Sequence, residues 1–255
     1  MGINIKKRLA WVPNLFTLGN LWLGFFSCII SLQVPGDPRY LAISGTMIML
    51  AALLDGLDGF MARLLDAQSE VGAQLDSLAD LTTFGIAPGI LVYSLLLADF
   101  NVALNDSITL PLGMLIAGLY PAAVAFRLAR FNVSHEPGVF QGVPSPVGGM
   151  IVALMPLAFQ DAIVLPDAVL LVIYIVTAYL MVSTIRYSKV QVALFRKFSL
   201  FRGSLLLAFA IGLVAFLLFR FGTQYAAAAV FAMIIMYIVS GLISFLIHLI
   251  QEYRI

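Results

Sequence analysis

Five of the ten aspartates in the chain fall in one short stretch: Asp55, Asp58, Asp66, Asp76 and Asp80. Asp55 and Asp58 stand at i,i+3, and Asp76 and Asp80 at i,i+4, so each pair shares one helix face. Four carboxylates facing one another repel, and each takes up a proton unless a cation offsets the charge. One or two hard divalent ions, Mg²⁺ or Mn²⁺, match such an all-oxygen ligand set. Gly56 and Gly59 flank Asp58, and Gly72 precedes the second pair. Glycine lets backbone approach a ligand or a neighbouring helix closely. Arg63 follows Gly59 by one helical turn and can pair with phosphate oxygens. A divalent ion beside an arginine and open backbone suits a diphosphate, whose leaving phosphate it can stabilise. Asp66 falls in the turn between the pairs and reads as solvated.

The elements that must position these groups are membrane helices. The 255 residues are 62% hydrophobic and 11% charged, against about 25% charged in a soluble domain. Eight apolar segments can be marked: Pro13–Gln33, Tyr40–Leu64, Val71–Ala98, Pro111–Phe131, Pro144–Phe159, Leu165–Ile185, Leu200–Phe219 and Tyr225–His248. A span needs about 20 apolar residues, and the fifth segment is short for one. Turn residues separate the segments, and no alternation demands a sheet. The fold class is therefore all-α, a polytopic transmembrane helical bundle of about eight spans. The first segment reads as a retained helix, since no cleavage pattern follows it. The lone cysteine, Cys28, excludes an intramolecular disulfide and a multi-cysteine metal site.

Basic residues set the orientation. With the N-terminus in the cytosol, twelve of the fourteen lysines and arginines fall on the cytosolic side, and only Arg39 and Arg220 fall outside. Both termini are then cytosolic. The basic stretch Arg186–Arg202 reads first as an ordinary positive-inside loop, with a place on the anionic lipid surface as the alternative. At about 1.5 Å per residue, Asp55 lies ~22 Å along a helix entering from outside, and Asp76 and Asp80 lie ~7 and ~14 Å into the returning one. Both pairs reach the cytosolic half of the membrane from opposite directions.

The run Asp55-Gly-Leu-Asp58-Gly59-Phe-Met-Ala62-Arg63, eight residues, Gly72, three residues, Asp76, three residues, Asp80 resembles the CDP-alcohol phosphotransferase signature at every fixed position. The resemblance implies displacement of CMP from a CDP-linked lipid by an alcohol. By position, Asp55, Asp58 and Asp76 would hold metal, with Asp80 completing the cluster and serving as the base. Gly59, Ala62, Arg63 and Gly72 would line the CDP site. Pro13-Asn14-Leu-Phe-Thr17-Leu-Gly-Asn20-Leu-Trp-Leu-Gly24, Arg127-Leu-Ala-Arg130-Phe131-Asn132 and Gly142-Val-Pro144-Ser145-Pro146 are similar to the integral-membrane CDP-diacylglycerol–serine O-phosphatidyltransferase branch. That branch implies CDP-diacylglycerol and L-serine as substrates, and members of the family are often homodimers. Asn14 and Thr17, near the cytosolic start of the first helix, could hydrogen-bond the nucleotide or simply cap the helix. Arg127 and Arg130 share a face and, with Asn132, could hold the serine carboxylate or the diphosphate. Their alternative use is to orient the chain by positive charge.

On this reading residues 1–190 form a core of about six helices, and residues 191–255 add two more. Phosphatidylglycerophosphate, phosphatidylinositol-phosphate and phosphatidylcholine synthases are rivals within the class. Outside it, intramembrane carboxylates also mark cation-coupled transporters. Such proteins commonly show internal repeats, and no second aspartate-rich segment exists here. An intramembrane aspartyl protease would need two aspartates sharing a proton, not four beside an arginine. A net charge of +1 gives no reason to invoke nucleic acid. His135 and His248 lie apart from the acids and receive no role.

Overall fold

The computed structural model describes residues 11–105, 108–133, 142–159, 163–185 and 200–252. Among the described residues, eight helical elements correspond to the eight apolar segments: α1 Val12–Gln33, α2 Pro38–Leu65, α3 Glu70–Leu97, α4 Leu112–Val133, α5 Ser145–Ala158, α6 Asp167–Val182, α7 Leu200–Phe221 and α8 Thr223–Glu252. Five of them, α1 to α4 and the Thr223–Ile243 part of α8, are long and apolar enough to cross a membrane. Among the rest, α5 has 14 residues and α6 has 16; at ~1.5 Å per residue each falls short of the ~30 Å hydrocarbon layer. The terminal basic residues, the loop around His135 and most of the Arg186–Arg202 stretch lie outside the described residues.

Along α1 the distribution of polarity is inverted relative to a helix of a water-soluble bundle. Helix α1 buries Thr17, Asn20, Gly24, Ser27 and Ser31 and exposes Leu15, Leu18, Trp22, Phe25, Phe26 and Ile29. Apolar outer faces and small or polar inner faces are what lipid as solvent requires, because helix contacts there depend on close packing and internal hydrogen bonds. Ser44 of α2 meets Ser27 and Ser31 of α1, with Oγ–Oγ distances of 2.7 and 2.6 Å. Glycine contacts complete this pattern. A Cβ at Gly24 would collide with Thr83, one at Gly45 with the Ala153 carbonyl, and one at Gly149 with Phe84. The helices thus approach at Gly24, Gly45 and Gly149. By contrast, Gly56 and Gly59 have nothing within 4 Å of such an atom, so they do not serve helix–helix approach, contrary to one of the two uses the sequence offered.

Local sequence sets the helix boundaries around the aspartates. Asp37 caps α2, accepting from the Arg39 N–H at 2.9 Å, and Pro38 occupies the first turn, where its missing N–H costs nothing. Helix α2 ends at Asp66, whose left-handed φ of 53° reverses the chain. Ser69 then caps α3 by accepting from the Gly72 N–H at 3.0 Å. The ladder of α3 widens into π turns at Leu81–Ile86 and Tyr93–Leu97. The first of these has the Ala87 N–H reaching back to the Thr82 carbonyl, directly before Pro88, whose ring would clash with a regular preceding turn.

A short antiparallel hairpin, β1 Val102–Asn105 with β2 Ile108–Leu110, joins α3 to α4. The turn residues of this stretch predict a plain turn instead. Strands of four and three residues are too short to display an alternation. At the other end of the chain, α8 packs against α5 and α7 against α8, so α7 is reached through α8.

Candidate active site

Helices α2 and α3 are joined by the short turn after Leu65, and aspartates from both meet at one site. Carboxylate oxygens of Asp55, Asp76 and Asp80 lie within 4.8 Å of one another. Asp58 stands outside this trio, and it is buried and accepts a 2.8 Å hydrogen bond from the Thr17 hydroxyl of α1. Thr17 also contacts the Pro13 carbonyl of the preceding turn at 3.1 Å, which fixes the side chain against its own helix.

Asp80 is the most enclosed of the trio, at 8% exposure. Its Oδ2 accepts from Ser145 Oγ at 3.1 Å, and Ser145 Oγ accepts from Arg127 Nη1 at 3.0 Å. Its Oδ1 is buried and accepts from no donor among the described residues. Like charges this close, with one oxygen unsatisfied away from water, are what a hard cation compensates. The residues present therefore fit a divalent ion held by carboxylates alone.

A cavity of about 270 Å³ adjoins the trio. Asn14, Thr17, Asp58, Gly59, Ala62 and Gly72 line it, and so does Asp76, which joins cavity to cluster. Gly59 leaves its wall open, since a Cβ there would meet nothing within 4 Å. Gly72 is tighter: a Cβ would stand 3.0 Å from Ser69 Oγ and 3.2 Å from Asn14 Oδ1. Arg63, one turn beyond, is exposed and outside the lining. Gln68 and Ser69 of the interhelical turn also line the cavity. Their types and spacing carry no signal of this, because nothing in a turn sequence tells which way it folds.

The paired arginines part company. Arg127 is buried and points to Ser145, with no partner for its Nε among the described residues. Arg130 instead donates to the carbonyl oxygens of Val182 at 2.9 Å, Ser183 at 3.3 Å and Met181 at 3.4 Å, at the C-terminal end of α6. Asn132 Nδ2 donates to Ser77 Oγ at 3.0 Å, beside Asp76 in sequence. Ser145, in the segment Gly142-Val-Pro144-Ser145-Pro146, also belongs to the site. Its signal was a serine between two prolines at a helix start, which by itself reads as local capping.

Residues 10–185 match the family model for CDP-alcohol phosphatidyltransferase. The chain belongs to this family. It is 35% identical over 182 residues to a CDP-diacylglycerol–serine O-phosphatidyltransferase of Helicobacter pylori, covering 69% of this chain and 70% of that one. A Bacillus subtilis protein of the same name is 34% identical over 181 residues, covering 70% and 90% respectively. A third, from Mycobacterium leprae, is 35% identical over 162 residues, and the match spans about half (49%) of its length. The protein is an integral membrane member of a transferase family, with an acidic cluster able to hold a metal ion.

Proposed function

We propose that the chain transfers the phosphatidyl group of CDP-diacylglycerol to the hydroxyl of L-serine, releasing CMP. The observation that carries this reading is the junction of the carboxylate trio with the glycine-walled cavity at Asp76. Two relatives matched over most of their length bear this activity in their names.

Asp55, Asp58, Asp76 and Asp80 would hold one or two Mg²⁺ or Mn²⁺ ions, which when bound supply positive charge to the diphosphate and to the departing CMP. Asn14 and Thr17 offer hydrogen bonds to the nucleotide, and Gly59, Ala62 and Gly72 leave room for it. Arg63 stands at the cytosolic rim for phosphate oxygens. Arg127 has no partner for its Nε among the described residues and suits the serine carboxylate, with Asn132 nearby in sequence. Asp80 takes the proton of the serine hydroxyl. The serine oxygen bonds to the phosphorus bearing the diacylglycerol, the bond from that phosphorus to the bridging oxygen breaks, and CMP leaves with its electron pair. Phosphatidylserine remains in the membrane. The termini and the site face the cytosol, on the positive-inside argument, and the family habit of dimerising is checked by the mass of the protein in detergent.

The test is CMP release by purified protein in detergent micelles containing CDP-diacylglycerol. Serine, glycerol 3-phosphate, inositol phosphate and choline are offered in turn with Mg²⁺ or Mn²⁺. Serine gives the fastest release. If serine is inert and another alcohol works, the acceptor assignment fails. If no alcohol works with either metal, the transfer reading fails.

A further inference from the structure

Two buried hydrogen bonds connect three helices behind the carboxylate trio: Arg127 Nη1 of α4 to Ser145 Oγ of α5 at 3.0 Å, and Ser145 Oγ to Asp80 Oδ2 of α3 at 3.1 Å. A serine hydroxyl has one hydrogen to give. Because Arg127 can only donate, it takes a lone pair of Ser145 Oγ and directs that single hydrogen at Asp80. All three side chains are buried, Ser145 fully, so water does not compete for these bonds. We propose that Ser145 is a positioning residue: by donating to Oδ2 it fixes the rotation of the Asp80 carboxylate within the trio. The inference rests on the phosphatidyl-transfer reading above.

The backbone around Ser145 is built to keep it there. Ser145 opens α5 directly after Gly142-Val143-Pro144. Gly142 has φ +75°, and a Cβ there would run into the Met181 and Leu180 carbonyls of α6. Its N–H donates to the Ile185 carbonyl at 2.9 Å, and the Val143 N–H donates to Leu180 at 3.2 Å. Arg130 grips the same end of α6 through Met181, Val182 and Ser183. The end of α6 is thus a clasp that ties the segment before Ser145 to the helix carrying Arg127. This separates the two arginines: Arg127 acts on Asp80 through Ser145, while Arg130 holds the frame.

The test compares Ser145→Thr, Ser145→Val and Ser145→Ala in serine-dependent CMP release. Thr and Val share a shape and differ only in the hydroxyl. Removing an outer hydrogen-bond partner of a site typically costs about 10- to 100-fold. Val and Ala should therefore lose about that factor in kcat, with KM for CDP-diacylglycerol within about twofold, while Thr stays within about threefold of the parent. A merely structural serine would lower Thr and Val together and would not split kcat from KM. If Val matches Thr, or if folded Ala keeps the parent kcat, the positioning role is overturned. If the larger side chains prevent assembly, Ala decides, since it only removes an oxygen. Should the parent protein itself release no CMP with serine, the functional reading fails first, and the two failures are told apart by that control.

Discussion

Replacing Asp80 by Asn removes the proposed base while sparing the packing. The carboxamide oxygen can still accept from Ser145 Oγ in place of Oδ2. The amide nitrogen takes the place of Oδ1, which accepts from no donor among the described residues, and its hydrogens have the neighbouring Asp55 carboxylate to turn to. The change is isosteric at a side chain 8% exposed, so overpacking and cavity costs are small. A positioned general base contributes about 10²- to 10⁴-fold, or about 3–5 kcal/mol of transition-state stabilisation. Purified Asp80→Asn protein should retain CDP-diacylglycerol binding, measured by calorimetry in micelles, and show kcat for CMP release reduced by at least about 10²-fold. The variant also removes one negative charge from the trio, so metal is titrated to saturation before kcat is read. Turnover within tenfold of the parent at saturating metal would refute the base assignment.

Other changes read other parts of the site. Thr17→Val deletes the 2.8 Å hydrogen bond to Asp58 and should raise the divalent ion concentration needed for half-maximal activity by about 10-fold or more. Gly59→Ala meets no atom within 4 Å; it should leave the melting temperature in detergent unchanged or higher and raise KM for the CDP-lipid. Gly72→Ala presses on Ser69 and Asn14 and should lower both stability and affinity. Arg130→Ala breaks the bonds to the α6 carbonyls; hydrogen bonds to a charged group are worth about 1.5–3 kcal/mol each at most, and a lowered melting temperature with unchanged KM for serine would mark it as frame rather than acceptor site. Chelation by EDTA should abolish CMP release, and added Mg²⁺ or Mn²⁺ should restore it.

Much of this protein is legible in the chain. The apolar segments fix where helices run, because a backbone in lipid must satisfy its own hydrogen bonds and a helix is the local way to do so. The i,i+3 and i,i+4 spacings of Asp55, Asp58, Asp76 and Asp80 fix their shared faces, since helical geometry is local. Charge cost in the membrane then marks those acids as functional. The family signature adds the reaction class.

What a linear pattern cannot carry is contact between distant segments. Nothing local separates Arg127 from Arg130, three positions apart on one face, yet one meets Ser145 and the other the end of α6. Nothing local shows that Gly24 and Gly45 serve helix approach while Gly59 leaves room in the cavity. The hairpin at Val102–Leu110 and the π turns of α3 also escaped the pattern, being short departures set by one proline or a few residues. The sequence alone determined that carboxylates gather on two successive helices of a membrane bundle. Tertiary structure decided that Asp55, Asp76 and Asp80 form the tight trio, that Asp58 is tied to Thr17, and that Asp80 is held through Ser145. The physical reason is that hydrogen bonds and close packing between helices depend on rotation and depth, which the sequence of any one helix leaves open.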